Sequence, residues 1–178
     1  MWPAGLALAR LLRHCPSFTC DKKVLELGAG LGAVGLCAAL SGASSVLLTD
    51  YDEDVLRNAA AGAAANGCAD SVRVRRLDWS DAAAATRDLF SRDDEDSAEK
   101  FELVLGADVL YDRANAVHIA ALLPSLLAEE DARALIADQT QWPWREVFEA
   151  ECAAVGLSVD QQPLPGPENV VLLSVTRA

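Results

Sequence analysis

Val24-Leu25-Glu26-Leu27-Gly28-Ala29-Gly30-Leu31-Gly32-Ala33 is the stretch from which the rest of the chain can be read. A short run of strand character leads into glycines, and the glycines lead into an apolar segment that continues to Leu40. Glycine permits tight backbone angles and the close approach of a ligand. A helix beginning there offers unpaired N–H groups and a partial positive end to a negative group. A carboxylate suits such a place as well as a phosphate. Gly28, Gly30 and Gly32 are therefore candidate backbone contacts of a nucleoside-type cofactor. Gly28-x-Gly30-x-x-Ala33 also satisfies a dinucleotide fingerprint, so the glycines alone leave the cofactor open.

Working outward, apolar runs that look like buried strands alternate with helical periodicity. The expected strands are Lys23–Leu27, Ser45–Thr49, Ser71–Leu77, Phe101–Ala107, Ala132–Ala137, Leu157–Gln161 and Asn169–Thr176. Expected helices are Leu31–Leu40, Glu53–Asn66, Asn115–Leu127 and Trp144–Val155. Gly62 is a locally weak choice inside the alanine-rich second helix, whereas Asn66-Gly67 makes a good helix stop. Alternation of this kind predicts a doubly wound, mostly parallel α/β sheet covered on both faces. The tail differs, because Gln162-Pro163-Leu164-Pro165-Gly166-Pro167-Glu168 is too short for a crossover helix. The two strands it joins should be antiparallel. One domain, residues 1–178, is expected, with no repeat inside it.

Carboxylates recur where these strands end. Asp50 closes the second strand about twenty residues after the glycines, where it can accept hydrogen bonds from ribose hydroxyls or simply form a turn. Glu26 lies on the first strand and needs a partner if buried. It could fix the loop or approach an amino group of the cofactor. Leu77-Asp78-Trp79 puts a carboxylate and an indole where an adenine would lie, the indole face being able to stack on the ring. The plainer alternatives are a helix cap for Asp78 and a packed aromatic for Trp79.

Gly106-Ala107-Asp108-Val109-Leu110-Tyr111 ends the fourth strand and faces the reacting end of any ligand bound there. Asp108 and Tyr111 would share a face if this turn is helical. A carboxylate can orient an amine and take up its proton, and an aromatic wall favours a cation. Otherwise Asp108 is a cap and Tyr111 a packed ring.

Composition narrows the class. A hydrophobic content of 52% with 24% charged residues is that of a folded globular chain. The net charge of −12 draws basic targets and weighs against nucleic acid. Cys15, Cys20, Cys37, Cys68 and Cys152 form no Cys-x-x-Cys pair, and reduced thiols point to a cytoplasmic, or also nuclear, protein. His14 and His118 are read as ordinary surface or packed histidines, and no metal site is expected. The Met1–Arg10 segment lacks a basic lead-in and makes a poor signal peptide, and no run is long enough to span a bilayer. Asp93-Asp94-Glu95-Asp96-Ser97 is expected as a solvated loop, with a docking site for a basic partner as the alternative.

Taken together, Trp2-Pro3-Ala4-Gly5, the glycine turn, Leu48-Thr49-Asp50, Leu77-Asp78-Trp79 and Ala107-Asp108-Val109-Leu110-Tyr111 resemble the seven-β-strand class I methyltransferases. Within them the sequence resembles the lysine methyltransferase-like group called methyltransferase family 16. The resemblance implies a Rossmann-like seven-stranded sheet with an antiparallel last strand. It implies S-adenosylmethionine as cofactor, surrounded by Trp2, Glu26, Gly28, Gly30, Gly32, Asp50, Asp78, Trp79 and Ala107. Asp108 and Tyr111 are by the same resemblance the catalytic candidates beside the target amine. The implied activity is methylation of a protein lysine; separately, a monomer is expected, with neither nucleic acid nor membrane as a partner. A small-molecule N-methyltransferase, a non-catalytic binding module and a nicotinamide-dependent oxidoreductase are the rival readings. Family members usually carry further residues ahead of the Trp-Pro segment, so an N-terminal extension is expected to be missing here.

Overall fold

The computed structural model describes residues 2–90, 100–166 and 169–178. Seven strands form one sheet: β1 (Lys23–Leu27), β2 (Ser45–Asp50), β3 (Val72–Arg76), β4 (Leu103–Ala107), β5 (Arg133–Gln139), β6 (Leu157–Pro163) and β7 (Val170–Arg177). Their order is β3-β2-β1-β4-β5-β7-β6. Neighbouring strands from β3 through β5 pair in parallel, and β7 is antiparallel to both β5 and β6. The expected mostly parallel sheet with its antiparallel last strand is what forms. The short proline-bearing connector is the cause, since it leaves no length for a crossover. Pro167 and Glu168 within it, and the acidic run at 93–97, lie outside the described residues.

Helices cover both faces. On one side α1 (Pro3–His14), α2 (Ala33–Leu40) and α3 (Glu53–Ala65) bury Leu8, Leu12, Val34, Ala59 and Ala63 against Val24, Leu48 and Leu105. On the other, α4 (Ala82–Leu89), α5 (Arg113–Leu126) and α6 (Arg145–Ala154) bury Leu89, Ile119, Leu123 and Phe148 against Leu25, Leu27 and Val104. Val24 faces one layer and Leu25 the other, because successive strand side chains point to opposite faces. Glu26 therefore points toward the α2 side.

Two helices were not foreseen. For α1, Ala4, Leu8 and Leu12 recur at four-residue spacing behind a Pro in the first turn, which is an amphipathic helical pattern. For α4, an alanine-rich segment that buries Ala85 and Leu89, four residues apart, is started by Asp81, whose carboxylate accepts from Ala84 N–H at 3.0 Å. Helix α2 begins at Ala33 rather than Leu31 because Gly32 is left-handed, with φ at 73°. Asp52 and Asp112 cap α3 and α5 in the same manner as Asp81 caps α4. No helix among the described residues is long and apolar enough to cross a membrane.

Candidate active site

The glycine turn at the end of β1 holds its shape through left-handed residues. Gly28, Gly30 and Gly32 have φ of 62°, 54° and 73°, which side-chain-bearing residues adopt only under strain. Ala29 N–H donates to Thr49 O at 2.8 Å, and Thr49 Oγ1 donates to Glu26 O at 2.7 Å, so β2 pins the turn from beside it. A Cβ on Gly28 would stand 3.0 Å from the Trp79 ring, whereas one on Gly30 would meet nothing within 4 Å. The backbone at Gly30 thus borders open space. That space is a cavity of about 160 Å³ walled by Trp2, Gly5, Glu26, Gly28, Gly30 and Ala107, among others. A larger hollow of about 650 Å³ lies at the opposite end of the strands, lined by Lys23, Ser45, Ser71, Arg73 and Phe101. Ligands of open α/β sheets bind outside the carboxyl ends of the strands, so the smaller cavity is the candidate site.

Glu26 is 2% exposed, and its Oε2 accepts from Gly35 N–H at 2.8 Å. Gly35 is the third residue of α2, where the backbone N–H has no partner within the helix. The carboxyl thus holds the head of α2 onto β1. Burial pushes it up to about 8, partly opposed by the Gly35 N–H and reinforced by the Asp50 charge. Of the two roles left open by sequence, fixing the loop is the one this geometry displays. Asp50 is also engaged: its Oδ2 accepts from Gly30 N–H at 3.0 Å and its Oδ1 from Asp52 N–H at 3.2 Å. A carboxylate offers about four acceptor positions, so capacity for two hydroxyls remains.

Asp78 follows β3, which ends at Arg76, and is exposed. Its Oδ1 accepts from Ser80 N–H at 3.0 Å, and the hydrogen bonds of Ser80 hold its carboxyl below the usual range. It caps no helix; Asp81 does that instead. Trp79 is partly buried against the core, with its ring over Gly28 and its Nε1 donating to Asn115 Oδ1 at 3.1 Å. The packed-aromatic reading is thus realised, with the ring at the edge of the glycine turn. Trp2 is 73% exposed beside the cavity.

The loop after β4 corrects one expectation. Asp108 is left-handed, with φ at 55°, and α5 starts only at Arg113, so no helical turn places Asp108 and Tyr111 on a shared face. Asp108 instead bends back: its Oδ2 accepts from Ala4 N–H at 3.1 Å in the first turn of α1. Its Oδ1 accepts from Gln139 Nε2 at 2.8 Å. It is a cap, as the plainer alternative had it, but of a helix more than a hundred residues earlier in sequence. Tyr111 is 46% exposed.

Sequence reasoning missed Asp138 and Gln139 at the carboxyl end of β5, and Asn115 at the head of α5. Asp138 is fully buried and neither of its oxygens has a hydrogen-bond partner among the described residues. Burial, then the Asp108 charge, pushes it up to about 7 against the pull of Arg145. The signal was available: an Asp-Gln pair closing the apolar run Ala134–Ala137 obeys the same rule that singled out Asp50 and Asp108. Asn115 carries no such mark, because only the fold brings it to Trp79.

With the geometry in place, comparison with known proteins is informative. A sequence model described as lysine methyltransferase matches residues 1–148. The protein-lysine N-methyltransferase EFM3 of Chaetomium thermophilum is 32% identical over 171 residues, covering 93% of this chain and 50% of that one. The mouse (Mus musculus) electron transfer flavoprotein beta subunit lysine methyltransferase is 28% identical over 137 residues, covering 77% and 48%. The chain thus spans about half the length of these curated relatives. Among solved structures, the glycopeptide N-methyltransferase MtfA complexed with S-adenosylhomocysteine superposes with a TM-score of 0.71 at 17% identity, covering 98% of this chain and 90% of that one. That likeness speaks to the fold.

Proposed function

Because the chain belongs to the lysine methyltransferase family, we propose that it transfers a methyl group from S-adenosylmethionine to a lysine side chain of a protein. The observation that carries this reading is the cavity at the carboxyl ends of β1 and β4, walled by the glycine turn and Ala107 and adjoining Asp108. The residues present suit the cofactor. Gly30 leaves its backbone open to a ligand and Asp50 keeps spare acceptor positions, which we assign to ribose hydroxyls, and we assign the adenine side to Trp79, which lies over Gly28, and to Asp78. The bound cofactor supplies a methyl group activated on a sulfonium.

The chain's own part is positioning, since displacement at a sulfonium needs an aligned neutral amine more than acid–base groups. Asp108 orients the acceptor amine, and Tyr111 contributes an aromatic wall favourable to the cation formed. The net charge of −12 favours approach of a basic protein segment.

Transfer of labelled methyl from S-adenosylmethionine into cell lysate, with mapping of the modified residue, tests the reading. Label on protein lysine is expected. Label confined to small molecules would overturn it in favour of a small-molecule N-methyltransferase. Asp108→Ala is expected to lower turnover by about tenfold or more while S-adenosylhomocysteine binds as before, because misplacing a reactant costs rate more than donor affinity.

A further inference from the structure

Asp108 and Asp138 stand at one edge of the sheet, where Asp108 N–H donates to Ala137 O at 2.9 Å. They are the same residue type in contrasting surroundings. Asp138 is buried without a hydrogen-bond donor among the described residues. Asp108 has a donor on each oxygen, from Gln139 and from Ala4. Its left-handed backbone is a conformation that an aspartate keeps only where the surroundings hold it.

We propose that Gln139 is a positioning residue of the acceptor site, its side-chain amide aiming the Asp108 carboxylate at the incoming amine. This rests on the acceptor role given to Asp108 above. Two donors, one per oxygen, fix the plane of the carboxylate and leave the remaining lone pairs for the substrate. With only the Ala4 N–H the group could pivot about that single bond. Gln139 is itself anchored, since its carbonyl oxygen accepts from Arg145 Nη1 at 3.1 Å and so ties β5 to the head of α6. A neutral amide suits the task. It orients the carboxylate without supplying a cation that would compete with the amine.

The charged groups around this position are Asp108 from the end of β4, Asp138 beside it on β5, and Arg145 from α6, while α1 contributes the Ala4 backbone. A carboxyl placed at 139 would face the Asp108 carboxylate that the amide now bonds. It would therefore hold its proton to a higher pH than a free glutamate, with Arg145 opposing in part.

The test compares Gln139→Leu and Gln139→Glu with the unaltered protein in labelled-methyl transfer to lysate protein across pH. S-adenosylhomocysteine affinity and the unfolding midpoint are measured alongside. Gln139→Leu is expected to slow transfer by about tenfold or more, with cofactor affinity within about twofold of the parent. Gln139→Glu is expected to be slower still above pH 8, where two carboxylates face each other. It should recover relative to the parent toward pH 5–6, where protonated Glu can donate to Asp108. A merely structural role predicts no such recovery. Parent-like rates for Gln139→Leu, or a loss that follows cofactor affinity or unfolding, would overturn the inference alone. A parent protein that binds S-adenosylhomocysteine yet labels no protein would overturn the acceptor reading, and this inference with it.

Discussion

At the scale of single residues, Glu26 and Asp50 divide the work of the glycine turn. Glu26 retains its proton when folded up to about pH 8, against 4.5 for an ordinary glutamate. Between those two values the folded state holds a proton that the unfolded state has released, so stability falls as pH rises through the window. A displacement of one pH unit corresponds to about 1.4 kcal/mol. Glu26→Gln keeps an acceptor for the Gly35 N–H and removes the ionisation. Thermal unfolding of the variant between pH 5 and 8 should be flatter than that of the parent, with a higher Tm at pH 8. Asp138, pushed up to about 7, adds a slope of the same sign that persists in both. A variant whose Tm falls as steeply as the parent's would show that Glu26 is not the titrating group. Asp50→Ala frees the Gly30 N–H and removes the acceptor proposed for the ribose hydroxyls. At about 1.5–3 kcal/mol for hydrogen bonds to a charged group, S-adenosylhomocysteine should bind some 10- to 100-fold more weakly. Calorimetry giving an unchanged Kd would sink that assignment.

Among the elements, α2 is the one whose placement makes the site. Its head is held by Glu26, and its third residue has no room for a side chain. A Cβ on Gly35 would collide with Leu48 and stand 2.7 Å from Glu26 Oε2. Gly35→Ala removes no contact and improves helix propensity, so propensity alone forecasts a more stable protein. Packing against β1 and β2 forecasts the opposite, because overfilled cores lose about 1–3 kcal/mol. A lower urea midpoint is the expected result, and a raised one would mean that the helix lifts away without cost. Helix α1 belongs to the same layer and is capped by Asp108, which joins the first helix to the loop after β4. Edge strand β3 carries Arg73, Arg75 and Arg76, charges that discourage pairing with another sheet.

For the whole molecule, β7 is the strand that closes the fold. Lying between β5 and β6, it sends Leu172 to the α1–α3 face and Leu173 to the α4–α6 face, both fully buried. Leu173→Ala should cost about 2–5 kcal/mol in chemical denaturation, the usual range for a buried leucine. A loss below 1 kcal/mol would mean that the tail is dispensable. The net charge of −12 sets a second global property. Self-repulsion among these charges is screened as the Debye length falls from about 30 Å to about 8 Å between 0.01 and 0.15 M salt. The Tm should rise over that interval, and a fall would show that local ion pairs outweigh the net charge.

By itself the sequence determined the alternation of strand and helix, the glycine turn and the antiparallel tail. Each of these is written locally: in side-chain period, in consecutive glycines, and in a connector too short to cross over. It also marked Asp50 and Asp108, because strand ends are visible as the end of an apolar run. Tertiary structure alone decided what those carboxylates touch. Asp108 meets Ala4 and Gln139, Trp79 meets Asn115, and Glu26 meets the head of α2. The glycine turn read first as a ligand cradle is also where Trp79 packs over Gly28. Such contacts depend on strand order and on which helix lies against which strand. Those are set by burial summed over two cores, which no local stretch of sequence displays.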